Sequence, residues 1–120
     1  MKKLAMAVLL VATFASGAKA STVTASDLLT LLEAQKTSYA FGVGAGFVSG
    51  AFLSTYAVQE VTKGQATDWP KTCIPGGTTA KEFRLGWKHW AKTSGNMKPK
   101  QHAVVSLVTW ARKAYPCDSY

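Results

Sequence analysis

Carboxylates are scarce in this chain: six Asp and Glu stand against 14 Lys and Arg among 120 residues. Asp27 and Glu82 occupy helix-capping positions, and Glu33, Glu60, Asp68 and Asp118 are scattered singly. No two are spaced to share a proton or divide an acid and a base between them. Histidine is as rare. His89 and His102 are the only two, neither has a carboxylate at helical spacing, and Lys98 sits one turn before His102, where it disfavours an imidazolium. Both read as surface or half-buried helix residues. There is no H-E-x-x-H, no G-x-S-x-G and no cluster of metal ligands. Gly42-x-Gly44 opens like a phosphate-binding loop, but the G-x-G-x-x-G pattern fails at Phe47. The sequence therefore offers no catalytic residue, no metal site and no cofactor. No stretch alternates with period two, and no internal repeat is visible, so strands and solenoids drop out as well.

Cysteine is also sparse, with Cys73 and Cys117 alone. In an oxidising compartment an isolated pair is most simply a disulfide; the other reading is a reactive thiol, which needs a cytosol-like setting. The N-terminus bears on that choice. Lys2 and Lys3 precede an apolar run from Leu4 to Phe14, and small residues end in Ala18-Lys19-Ala20, an A-x-A cleavage pattern. The run is shorter than the roughly 20 residues of a spanning helix. Ser21 stands where a lipoprotein would need cysteine. The expectation is a signal peptide over 1–20, cleavage after Ala20, and a periplasmic mature domain of 21–120. Loss of Lys2, Lys3 and Lys19 leaves 11 basic against 6 acidic residues, a net charge of +5 in place of +8. That charge suits solubility and a mildly acidic partner, and lacks the dense basic clusters of a nucleic-acid binder.

The mature part reads as all-α, a small bundle of about four helices. Ser26-Asp27 is expected to cap the first, with Leu28, Leu29, Leu31 and Leu32 on its apolar face. Tyr39 to Val61 is apolar almost throughout, and Gly42, Gly46 and Gly50 form a stripe of the kind that admits a second backbone. It is expected to be a central helix buried on most faces, the alternative being a membrane span. Lys63 to Gly77 is rich in Gly, Pro, Thr and Asp and reads as a connecting loop. Thr79-Ala80-Lys81-Glu82 is a capping box, followed by Phe83, Trp87 and Trp90 on one face and Lys81, Arg84, Lys88 and Lys92 on the other. The basic ridge is either a solvated face or an electrostatic guide for an acidic partner. Gly95-Asn96 ends that helix. Pro99 is expected in the first turn of the last, whose buried face is Val104, Leu107, Val108 and Ala111.

The run Cys73-Ile74-Pro75-Gly76-Gly77-Thr78, two following helices and Tyr115-Pro116-Cys117 resemble the Rap/Tai-type immunity proteins, which protect bacteria against type VI secretion amidase effectors. That family shows a Cys-x-Pro-x-Gly-x-Thr entry, a Pro-Cys close, an export signal and a glycine-containing helix ahead of the first motif cysteine. The likeness covers roughly residues 26–117, its specific part 73–79 and 115–117. Many members carry further cysteines near the positions of Leu32 and Tyr39; this chain has none, so Cys73–Cys117 is the staple carried over. The resemblance implies a periplasmic, often dimeric, non-enzymatic inhibitor that occludes the cleft of a peptidoglycan amidase. On that reading the partner contacts fall on Trp69 as anchor and on Lys71, Lys81, Arg84 and Lys88. Two other classes are alternatives. One is an envelope stress chaperone similar to the HdeA type, whose acid switch needs more carboxylates than this chain has. The other is a small membrane-embedded protein that dimerises through Gly42, Gly46 and Gly50.

Overall fold

The computed structural model describes residues 23–63 and 71–117. The leader assigned to 1–20 and the loop residues Asp68 and Trp69 lie outside the described residues. Four helices follow in chain order: α1 Ala25–Glu33, α2 Tyr39–Val61, α3 Ala80–Thr93 and α4 Ala103–Ala114. Among the described residues there is no strand, only an isolated antiparallel bridge between Thr24 and His102. The all-α fold expected from the sequence is present, with the Cys73–Cys117 disulfide.

Local chemistry sets each boundary. The cap of α1 is Thr24 and not Ser26-Asp27. Its hydroxyl accepts the Asp27 amide at 3.1 Å while the Asp27 carboxylate accepts the Thr24 amide at 3.1 Å, so Asp27 is the reciprocal partner of a capping box. Ser38 caps α2 by accepting the Phe41 amide at 3.2 Å and donating its hydroxyl to the Gln35 carbonyl at 2.6 Å. That second bond holds the turn separating α1 from α2, so Thr37-Ser38 breaks the chain here. Thr79 accepts the Glu82 amide at 3.1 Å at the start of α3, one half of the expected capping box; the return bond from the Thr79 amide to the Glu82 carboxylate is not formed. Gly95, at φ +71°, supplies the left-handed turn after α3 that a side chain resists.

The start of α4 differs from expectation. Pro99 lies outside the helix, which begins at Ala103. The reason is tertiary: α1 begins with amides lacking intrahelical partners. The Ala25 amide donates to the Gln101 carbonyl at 2.8 Å, and the Ser26 amide to the Pro99 carbonyl at 3.1 Å. The Ala103 amide returns a bond to the Val23 carbonyl at 2.9 Å. Residues 98–101 thus form a turn, closed by the Gln101 amide on the Lys98 carbonyl at 3.1 Å and tied to the start of α1, and do not join α4.

The core gathers one face from each helix. Leu28 and Leu32 of α1, Val48 and Phe52 of α2, Phe83 and Trp87 of α3, and Leu107, Trp110 and Ala111 of α4 are buried. Phe83 sits at the centre of an aromatic cluster, 5.1 Å from both Phe52 and Trp110 and stacked on Tyr115 at 6.3 Å. Trp87 is fully enclosed, and its indole N–H donates to the equally enclosed Ser106 hydroxyl at 3.1 Å. The face read for α4 needs correction: Val104 is 48% exposed, and Ser106 and Trp110 take the inward positions.

Gly86 permits this packing. A Cβ there would meet the Trp110 ring at 2.6 and 2.8 Å, and that ring is wedged against Phe83 and Tyr115. Gly86→Ala is therefore expected to destabilise the protein. The steric cost of roughly 1–3 kcal/mol exceeds the gain of about 1 kcal/mol in helix propensity. Thermal melting of the variant checks this; an unchanged or raised midpoint would contradict the close approach.

Candidate functional site

α2 is not buried on most faces, contrary to expectation. Only Gly44, Val48 and Phe52 are buried, while Tyr39, Val43, Leu53, Val58 and Val61 are exposed. α1, α3 and α4 all contact this one side of the helix. A 23-residue helix that is apolar all round must cover every face to gain from all of it, and three short helices are too few. The glycine stripe turns outward: a Cβ at Gly42, Gly46 or Gly50 would meet nothing within 4 Å. The close backbone approach is made instead at Gly44, where a Cβ would lie 2.9 Å from the Leu31 Cβ. In the monomer, Gly42→Ala and Gly46→Ala are each expected to stabilise by roughly 0.5–1 kcal/mol through helix propensity, whereas Gly44→Ala destabilises. Melting midpoints of the three variants give the test; a loss of stability at Gly42 and Gly46 would mean another backbone rests on the stripe.

Beside the stripe, α2 and α4 diverge to leave a groove of about 710 Å³. Gly46, Phe47, Gly50, Ala51 and Val58 form one wall, and Val104 and Val108 the other. Thr55 and Thr62 line it too, yet their hydroxyls donate to their own helix, to the carbonyls of Ala51 at 2.8 Å and Val58 at 2.7 Å. Bonds of this kind satisfy the polar atoms and leave a largely apolar lining.

One end of the groove is built differently. Gln59 clamps the segment before α3 to α2: its Nε2 donates to the Ile74 carbonyl at 2.9 Å and its Oε1 accepts the Ile74 amide at 2.7 Å. Its Oε1 also accepts the buried Thr72 hydroxyl at 3.4 Å. On the far side the Cys73 amide donates to the Tyr115 carbonyl at 2.9 Å, and the disulfide closes next to it with the two Cα atoms 5.1 Å apart. These ties bring Lys71 and Thr72 together with Gln59, Thr62 and Arg112 at the groove's polar end. Among the described residues, no Asp or Glu lines the groove.

The residues singled out from the sequence do not converge on this groove. Lys71 lines it, and Trp69 lies outside the described residues. The basic ridge of α3 is largely engaged within the fold. The Arg84 guanidinium sits 5.0 Å over the Phe41 ring, and Lys88 Nζ donates to the Leu32 carbonyl at 3.4 Å. Lys92 pairs with Glu33 at 3.5 Å. Two cations thus serve the C-terminal end of α1, whose last turn has none of its own. Lys81 stays exposed at the start of α3. His89 and His102 are exposed and far apart in the fold's logic, one mid-α3 and one capping α4 without a side-chain bond. Among the described residues no three His, Cys, Asp or Glu side chains gather as a metal site.

Burial, assisted by the negative charge of Glu82, raises the Tyr115 phenol above its ordinary value. A phenol whose folded pKa is raised contributes stability that is present below about pH 10 and is lost as pH rises through the folded value. Alkaline denaturation should therefore be milder in Tyr115→Phe than in the parent, measured as melting midpoints from pH 9 to 12. An identical pH profile in both would remove Tyr115 as the cause.

No family model matches this chain, and no curated protein or solved structure shows significant similarity to it.

Proposed function

We propose that this protein is exported, loses its leader after Ala20, and acts in the periplasm as a disulfide-stapled inhibitor that binds a cell-wall amidase and covers its cleft. The observation that carries this reading is the junction at Cys73–Cys117. The Cys-x-Pro-x-Gly-x-Thr entry and the Tyr-Pro-Cys close meet there, backed by the Cys73–Tyr115 backbone bond and the Gln59 clamp. Such a junction makes the α3–α4 pair rigid, and a rigid body loses little entropy when it blocks another molecule. Binding in place of catalysis also suits a chain whose carboxylates and histidines stand apart. Lys81, exposed at the start of α3, remains the partner-facing cation of this proposal, since Arg84 and Lys88 have partners in the fold.

The test is inhibition. Purified peptidoglycan amidases of the type VI effector class, acting on isolated sacculi, should lose activity at a 1:1 ratio with the oxidised protein. An amidase encoded by the neighbouring gene is the first to try. Full activity of every such amidase at tenfold excess would overturn the proposal. A second reading is favoured by one observation: α2 is long and apolar enough to cross a membrane, and most of it is uncovered. Release on osmotic shock supports the periplasmic reading; extraction by detergent alone supports a membrane-embedded one.

A further inference from the structure

We infer that the α2–α4 groove is a binding site for a single-chain anionic amphiphile, specifically a long-chain fatty carboxylate, with its head group at Arg112. This goes beyond the inhibitor reading and does not depend on it. The shape and the charge of the groove both point to such a ligand. Its volume of about 710 Å³ lies within the range of small-molecule sites. From Gly46 to Thr62 it follows α2 for 16 residues, or roughly 24 Å at 1.5 Å per residue. That is a trough for an extended chain.

Ser54 and Thr55 line the middle, but charge is confined to one end. The tail end is made by Gly46, Phe47, Gly50, Val104 and Val108, and the outward glycines leave room there that side chains would fill. The head end holds Arg112, with Lys71 beside it, and among the described residues no carboxylate lines the groove. Arg112 has no ion-pair partner among the described residues. Its planar guanidinium matches a carboxylate in bidentate fashion.

The same features disfavour other occupants. An extended peptide would bring amides that need partners, yet Thr55, Thr62 and Gln59 already spend their polar atoms on the fold. A hydrocarbon tail needs none and gains by burial. A cationic amphiphile would place like charges together at Arg112 and Lys71.

The experiment is calorimetric titration of the disulfide-bonded protein, purified from the cell envelope and delipidated, with myristate below its micellar concentration. Saturable 1:1 binding is expected. Tetradecyltrimethylammonium, with an equal tail and the opposite charge, should bind at least tenfold more weakly. Arg112→Gln should weaken myristate by about tenfold or more, and Val108→Trp should abolish binding by filling the trough, each with an unchanged melting midpoint. If Val108→Trp does not fold, Gly50→Leu replaces it, because its added atoms enter open space. Non-saturable uptake, equal affinity for the two head groups or indifference to these variants would overturn the inference. So would binding only to vesicles of anionic phospholipid, or a stable dimer that excludes myristate.

Discussion

Replacing both cysteines, Cys73→Ser with Cys117→Ser, should lower the melting midpoint by roughly 15–30 °C. The disulfide spans 44 positions, and closing a loop of that size removes about 4 kcal/mol of entropy from the unfolded chain. For a domain of about 100 residues each kcal/mol corresponds to roughly 4–8 °C. Total stability of such a domain is only about 5–15 kcal/mol, so the staple is a large share. The loss should act through the unfolded state, because other bonds hold the same junction. The Cys73 amide still reaches the Tyr115 carbonyl, and Gln59 still grips Ile74. The double variant should therefore keep its helical circular dichroism at low temperature while melting early. A shift under about 5 °C would mean the loop closure contributes little. Loss of helix before heating would mean the staple shapes the native state itself.

Trp87→Ala should cost about 3–5 kcal/mol, from the largest of the fully enclosed side chains. Two effects combine. Removal of the indole leaves a cavity among the four helices, and it strips the buried Ser106 hydroxyl of its donor. They can be separated. Trp87→Phe keeps much of the volume but leaves Ser106 without that bond, and Ser106→Ala leaves the indole N–H buried and unpaired. Each single change should cost roughly 1–3 kcal/mol. The double variant Trp87→Phe with Ser106→Ala should cost less than the two added together, since neither orphan remains. Chemical denaturation of the four proteins measures this coupling. Strict additivity would show that the bond carries no stability of its own.

Much of this fold was legible because α1 and α3 are amphipathic and capped. Phe83 and Trp87 recur four apart opposite Lys81, Arg84 and Lys88, so most of the buried face of α3 follows from spacing, although Ala91 is buried there and Trp90 only half-buried. The disulfide was legible from the cysteine count together with an N-terminal run read as an export signal. α2 was not legible beyond its extent. A helix apolar on every side carries no phase, so nothing local says that Gly44, and not Gly42 or Gly46, meets α1. The choice is made by Leu31 and Leu32, from another element. The start of α4 was misplaced for a similar reason: Pro99 is a good first-turn residue by itself, but its carbonyl is needed by Ser26 of α1. Trp110 was hidden by the stripe of Val104 and Val108, which draws the reading one position round the helix from the buried face of Ala103, Ser106, Leu107 and Trp110. The groove was beyond reach of sequence reasoning, since α2 and α4 are separated by the whole of α3.

The most direct measurement is the intact mass of the protein recovered from the envelope of cells making it, under non-reducing conditions with thiol labelling. Expected is the mass of Ser21–Tyr120 less two hydrogens, with no label taken up. A mass that retains the leader, or two labelled thiols in the folded protein, would contradict an exported bundle locked between Cys73 and Cys117.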